Sequence, residues 1–450
     1  MKFRRASLAL INRISALTKS FSAQIMQKII PNLLICLLCL AVASQAWSAT
    51  LTLHECLQKA QDNNPVLKSS AWDSRIAREN VRQVSAAFLP RVDAQAGYTM
   101  QLEPQAFIIN GMTAETQEPD YASAGLAASY TLYDFGRRDA RTHQAVAAAD
   151  ASAQSFESRR SDVALQVIEA YFGILESGKL IQAAVDEVAQ VEEHRRVAQV
   201  LFEEGVVTRN DVLQAEVRLA SARQKLLAVK NRRENNWLLL NFLTGAQSGF
   251  RAELDEVASI PAVEQSLTDT STILSQRHDI QALRHTLEAG ESEVQESRSN
   301  FLPEIFTHLS LDYVQNNKVR EQAIMSATLG IRLNLFDGFA STSAREKAVK
   351  NRSKAQDSLR LAEQQARLEA DTAGNDASVA KERIIVSETA IRQSEENLRI
   401  NRERYRERVG TATEVLDAQT LVTQAKTDYY RAFYDHQTAT ARLKRALGEL

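Results

Sequence analysis

The sequence predicts an α+β membrane protein made mostly of long α-helical hairpins, with four β-strands per chain, laid out as two tandem structural repeats. Three observations predict it. Residues Leu132–Gly245 and Leu335–Gly448 are two copies of one stretch at a constant offset of 203 positions, which aligns Asp134 with Asp337, Asp211 with Glu414, Leu213 with Leu416 and Gly245 with Gly448. Neither copy contains a proline, and each reads as one very long helix, a break near Gly205 or Gly410, and a second helix returning. Ahead of each copy the apolar period changes from helical to two, the mark of strands with one apolar face. A repeat this long is not a solenoid of small units; it indicates duplication of a whole helical hairpin.

Taken in order, residues 1–49 read as a secretory signal peptide. They hold six basic residues and no acidic ones, an apolar run from Leu33 to Val42 and a small-residue exit, Ala46-Trp47-Ser48-Ala49, with cleavage after Ser48 or Ala49. The start is Met1 or Met26. Removing this leader leaves 48 basic against 56 acidic residues, a net charge near −8. No basic patch speaks for nucleic acid. Cys36 and Cys39 leave with the leader, so Cys56 has no intrachain partner and is expected as a buried thiol. No later segment is long and apolar enough for a spanning helix, which narrows membrane contact to a barrel, a surface helix or nothing.

The first repeat is expected over 50–245. Residues 52–89 are helical on either side of Asn63-Asn64-Pro65, where Pro65 suits a first helical turn behind an Asn cap. A β-hairpin follows at about 91–133. Val92, Ala94, Ala96, Tyr98 and Met100 alternate with polar residues, and so do Ala124, Leu126, Ala128, Tyr130 and Leu132, around a loop from Glu103 to Tyr121. Both runs have the roughly 9–11 residues that cross a bilayer in a barrel. A helical hairpin is expected over about 138–245. Its first helix, nearly 70 residues long, measures roughly 100 Å. It carries Val163, Val167, Ala170 and Ile174 at the 4-3-4 spacing of a coiled-coil seam.

Residues 246–272, around Pro261, read as a connector. The second repeat, 273–450, brings a β-hairpin at about 304–336 and a helical hairpin at about 340–448. Pro303 falls on Pro90 at an offset of 213, and the offset drops to 203 because the second strand loop is ten residues shorter. Loop tips that differ while strand cores match are what exposed loops permit. Four strands cannot close a barrel, and an open sheet edge cannot sit in lipid, so other copies must complete it. Tyr98, Tyr130, Tyr133, Tyr313 and Phe336, near the strand ends, suit an interfacial aromatic belt or cross-strand packing.

The sequence offers no enzyme constellation. Its seven histidines are scattered without ligand spacing, and no phosphate loop, nucleophile elbow or paired-cysteine motif occurs. No cofactor and no metal are expected. The order of parts, from signal peptide through two copies of helix, Leu-Pro, strand, loop, strand, very long helix and returning helix to a final "EVLDAQ" turn, resembles the TolC family of outer-membrane channel proteins. The resemblance covers about Leu51 to Leu450. It implies a homotrimer whose strands make a twelve-stranded barrel in outer-membrane lipid, continued by a helical barrel into the periplasm. It also implies an exit duct for an efflux pump or type I secretion system. The partners would be a periplasmic membrane-fusion adaptor and an inner-membrane pump of RND or ABC type. The alternative is a secreted or periplasmic coiled-coil structural or adhesion protein.

The two helix-to-helix turns are the candidate site. The resemblance places them at the periplasmic tip, with Gly205, Val206, Thr208, Val409, Gly410 and Thr411 as docking positions for the adaptor. Asp211, Glu414 and Asp417 would set acidic groups around the entrance, a ring that attracts cations. The other reading is first-turn acids favoured by the helix dipole and capping. Tyr405, Arg209 and Arg408 are candidates for polar links that hold the tip shut. Arg408 stands where Gly205 breaks the first helix, with the glycine two places later at Gly410, so the second turn is expected to differ in shape.

Overall fold

The computed structural model describes residues 50–256 and 274–450. The expected leader and most of the expected connector lie outside them. The first repeat runs α1 (Leu53–Asn63), α2 (Pro65–Ser85), β1 (Arg91–Met100), β2 (Ala106–Ile109), β3 (Met112–Glu115), β4 (Asp120–Tyr133), α3 (Arg137–Glu203) and α4 (Arg209–Thr244). The second runs α5 (His278–Ser299), β5 (Glu304–Val314), β6 (Ala323–Arg332), α6 (Ala340–Arg406) and α7 (Ala412–Leu447). The duplication is kept to the residue: α3 and α6 are each 67 residues, and α4 and α7 are each 36.

A returning helix covers only about half of a long one, so the strand-side half must be packed by something else. That role falls to α2 and α5, which lie on α3, while α5 also lies on α6. The short helices meet the returning helices end on, by the same device in each repeat. Gly245, at φ +69°, ends α4 against Asn63, where a Cβ would come within 2.8 Å of the Asn63 Cβ. Gly448, at φ +83°, ends α7 against Gln276 in the same way. Beside each contact a buried side chain ties the junction. Asn64 Nδ2 donates to the Leu243 carbonyl at 2.9 Å while its Oδ1 caps α2. In the second repeat Arg277 takes that place and reaches the Ala446 carbonyl. Cys56, fully buried in α1, is inert; burial pushes its thiol up to about 12.

The seam expected on α3 is present and longer than its first four members. Val163, Val167, Ala170, Ile174, Ser177, Ala184, Glu187, Val191, His194 and Ala198 are all buried. On α6 the matching seam is mostly alanine (Ala366, Ala370, Ala373, Ala380). Small seam residues let helices approach closely, and the bulk is supplied elsewhere, by Tyr171, Phe172, Trp237, Leu240 and Tyr434.

Antiparallel pairing gives one sheet in the order β1-β4-β5-β6. Its register sorts the two faces. Ala94, Leu126, Leu311 and Met325 share one row, and Val92, Ala128, Leu309 and Ala327 share a parallel one. The opposite face carries Asp93, Gln95, Ser129, His308, Ser310, Asp312, Ser326 and Thr328. Tyr98 and Tyr313 stand at one end of the apolar face and Tyr130 at the other. The eight residue steps from Ala122, opposite Tyr98, to Tyr130 span about 26 Å of strand, close to the height of a barrel's apolar band.

The loop between β1 and β4 corrects the expectation of a plain loop. It folds into the β2–β3 hairpin, whose turn residues Asn110 and Gly111 both have positive φ. Asn-Gly between apolar residues is a strong hairpin signal, and it was there to be read. Asn316 donates to the Thr116 carbonyl at 2.8 Å, and Lys318 pairs with Glu115.

Where strand passes to long helix, both repeats turn on two consecutive residues of positive φ: Phe135-Gly136 and, in reversed order, Gly338-Phe339. The preceding aspartate then caps the helix. Asp134 Oδ2 accepts from the Arg138 N–H at 3.0 Å, and Asp337 Oδ2 from the Ser341 N–H at 2.9 Å. A separate small unit is a parallel bridge of Leu51 with Leu254, in which Leu51 N–H donates to the Glu253 carbonyl at 2.7 Å.

Candidate functional site

The tips are built by backbone geometry first. Gly205 takes a left-handed conformation, φ +72°, and so does Arg408, φ +64°. The same hydrogen bonds close both turns: Val206 N–H to the Leu201 carbonyl at 2.8 Å, and Val409 N–H to the Arg404 carbonyl at 2.9 Å. The second turn therefore does not differ in shape, contrary to the expectation from its displaced glycine. Helix ends favour this closure enough to force a non-glycine residue into it. At Gly410 a Cβ would lie 3.1 Å from the Arg404 Cβ, a tight contact to which the neighbour would have to yield, although Val207 fills the matching place in the first turn. Left-handed backbone costs a non-glycine residue about 1–2 kcal/mol. Arg408→Gly is thus expected to stabilise the chain by about 1 kcal/mol and Gly205→Ala to destabilise it by as much, read from denaturant midpoints.

The next turn of each tip is a helix start with a reciprocal cap. The Thr208 N–H and hydroxyl donate to Asp211 Oδ2 at 2.9 and 2.8 Å. The Thr411 N–H donates to Glu414 Oε2 at 3.0 Å, and the Glu414 N–H to Thr411 Oγ1 at 3.2 Å. Asp211 and Glu414 are thus capping acids in this chain, whatever else they do. Asp417 is different: it is exposed one turn on, beside a groove between α4 and α7 lined also by Asn210, Leu213, Gln214 and Arg218. Val206, Val409 and Arg209 are exposed at the extremity.

Tyr405 does not form the polar link expected of it. Its hydroxyl is buried without a hydrogen-bond partner, and its ring sits 5.8 Å from that of His194. Burial pushes its phenol up, and the negative charge of Asp211 acts in the same direction. Arg209 lies outside the cleft that Tyr405 lines. The links between the two hairpins come from residues the sequence reading passed over. Gln190 on α3 accepts from Arg402 Nη2 at 3.4 Å and from Gln419 Nε2 at 3.1 Å, and Arg218 on α4 donates to Thr420 on α7. Their only sequence signal is a polar residue at a coiled-coil position. Among the described residues, no group of three or more potential ligands could hold a metal ion.

Two tandem long-helix hairpins, joined to a four-stranded sheet with one apolar and one polar face and ending in matched capped turns, define the fold of a channel-tunnel protomer. The family described as outer membrane efflux protein matches residues 56–246 and 270–449, and the chain belongs to that family. Among similar proteins, the alkaline protease secretion protein AprF of Pseudomonas aeruginosa is 24% identical over 67% of this chain and 64% of its own length. Outer membrane protein TolC of Vibrio cholerae is 23% identical over 68% of this chain and 69% of its own. The crystal structure of VceC from Vibrio cholerae covers 88% of this chain and 96% of its own at a TM-score of 0.77 and 19% identity. A membrane protein from Pseudomonas aeruginosa covers 88% and 93% at a TM-score of 0.79 and 21% identity.

Proposed function

We propose that this chain is one protomer of a trimeric outer-membrane duct that conducts substrate passively from the periplasm to the exterior. The observation that carries the reading is the sheet. It has two open edges, β1 and β6, and faces sorted into apolar and polar by register. In lipid such edges must be closed, so β1 of one copy pairs with β6 of the next. Three copies give twelve strands, the apolar face toward lipid and the polar face around the lumen. The helical hairpins then continue the duct into the periplasm. The chain does no chemistry of its own; an inner-membrane pump drives the flow through a periplasmic adaptor seated on the tips.

The relatives' names span both kinds of cargo, protease secretion for AprF and toluene efflux for TtgC of Pseudomonas putida. The test is in-cell photo-crosslinking from Thr208 and Thr411. Capture of a periplasmic adaptor is the expected result, and its companion pump identifies the cargo class. Efficient crosslinking that captures no periplasmic protein would overturn the docking assignment.

At the entrance, Asp417 is the acid free to act on ions, because it has no part in a cap. Asp417→Asn is expected to lower cation-over-anion selectivity in planar bilayers with stability unchanged. Glu414→Gln, which keeps a capping amide, separates charge from folding. Glu414→Ala would instead weaken the helix start by about 1 kcal/mol. Selectivity unchanged in the Asp417→Asn, Glu414→Gln double variant would remove both residues from the entrance.

A further inference from the structure

Near the tips, the apolar seam of α3 admits an ionisable side chain whose ring nitrogen has nothing to bond. His194 occupies a seam position between buried Val191 and Ala198 and is itself only 7% exposed. Its Nε2 is buried without a hydrogen-bond partner, as are the Tyr405 hydroxyl and Gln419 Oε1. All three residues line one cleft of about 390 Å³ between α3, α6 and α7. The charged groups around it are unbalanced. From α6 come Arg402 and Arg406; α7 contributes Val415 and Gln419, which carry no charge. From α3 itself comes Glu193, already held by two hydrogen bonds to Arg196. Asp211 on α4 acts on His194 through space. Across this layer Gln190 joins the two hairpins through Arg402 and Gln419, beside the ring contact of His194 with Tyr405.

We propose that His194 is a proton-sensitive latch: neutral, it lets α6 and α7 lie against α3, and protonated, it adds a third cation beside Arg402 and Arg406 and drives the hairpins apart. Burial holds its imidazole below the usual 6.5; Asp211 opposes that and Arg402 reinforces it. Parting the hairpins hydrates the ring and restores its ordinary value. The packed arrangement therefore binds fewer protons than the parted one. Its advantage is complete above about 6.5, shrinks as pH falls below that value, and stops shrinking once pH passes the lowered value. Burial of the ring makes the charge expensive while the seam stays closed. That the parted state widens a duct entrance rests on the function proposed above; the latch itself does not.

The test uses the assembled, detergent-solubilised full chain. Hydrogen exchange is compared at about pH 7.5 and about pH 5.5, corrected for the intrinsic pH dependence of exchange. Segments 187–205 and 398–410 are expected to lose protection several-fold at the lower pH in the native chain and not in His194→Gln, whose amide takes no proton. Equal loss in both proteins, or no loss in the native chain, overturns the latch. Should His194→Gln fail to assemble, imidazole-labelled native protein decides by NMR: a ring titrating at or above its usual value overturns the proposal, and one titrating below supports it. Bilayer conductance separates the two readings. Conductance that rises at low pH only in the native chain supports the latch as a gate. A latch response in exchange beside flat conductance sinks the tip as the entrance and leaves the latch standing.

Discussion

Arg277→Met is expected to cost about 3 kcal/mol of stability, the largest loss from any single conservative-volume change at the junction of the two helix layers. Arg277 is 3% exposed. Its Nε and Nη2 donate to Asp279 at 3.0 and 2.6 Å, and its Nη1 to Glu369 at 2.8 Å and to the Ala446 carbonyl at 3.4 Å. One guanidinium thus joins the start of α5, the middle of α6 and the end of α7. Removing it leaves a carbonyl and two carboxylates without their donor. Asp279 and Glu369 keep some solvent, which sets the expectation at the low end of the range for a broken buried pair. Asn64→Ala, the corresponding change in the first repeat, is expected to cost about 2 kcal/mol, because it removes a cap and one buried bond but no charge. Denaturant unfolding followed by far-ultraviolet circular dichroism gives both values.

The same pair predicts a pH dependence. Burial works against the Asp279 carboxylate, but the hydrogen bonds and charge of Arg277 outweigh it and hold the group below its usual 3.8. Its contribution is complete above about that value and is lost as pH falls through the lowered one. Arg277→Met is expected to abolish this acid-side loss, so the two unfolding curves converge at low pH. Curves that stay parallel would show that the ion pair is not what the guanidinium contributes.

The equivalence of Asn64 and Arg277 explains why part of the fold was legible and part was not. Strands announce themselves by period, and the rows in which Leu126 meets Leu311 follow from that alternation alone. The long helices announce themselves by an absence of proline and by seam spacing. A junction is different. Asn64 and Arg277 differ in type, and each bonds a carbonyl 179 or 169 residues away. No local pattern encodes such a contact. The tips show the same limit at shorter range. Thr208 with Asp211 and Thr411 with Glu414 have capping-box spacing, which made first-turn acids one of the two readings. The left-handed Arg408 could be found only by trusting the repeat over the residue, since arginine gives no turn signal. His194 was visible as a histidine but not as a seam residue, because the 4-3 count has to be carried 31 positions beyond Val163.

Leu311→Arg is expected to destabilise the membrane-inserted sheet by about 2–4 kcal/mol per copy, while Ser310→Arg, one residue away, is expected to cost close to nothing. The two positions differ only in the face they occupy. Leu311 shares its row with Ala94, Leu126 and Met325, all apolar. Ser310 pairs with Ala127 and Ser326 on the other face, where its hydroxyl lies 2.7 Å from Asp312 Oδ2 and 2.8 Å from Ser326 Oγ. Both lie near mid-strand; on the apolar face a guanidinium there is too far from either interface to reach water cheaply, whereas on the polar face of the proposed duct it meets water directly. In the trimer proposed above the penalty is repeated in every copy, so Leu311→Arg is expected to prevent assembly of the oligomer and to reduce outer-membrane yield sharply. Ser310→Arg is expected to leave both unchanged and to alter conductance, since in the proposed duct its charge enters the lumen beside Asp312. A reversed pair of results would turn the sheet inside out. Tolerance of both would take the sheet out of the bilayer altogether, because the lipid face of a membrane barrel is not indifferent to a charge at mid-height.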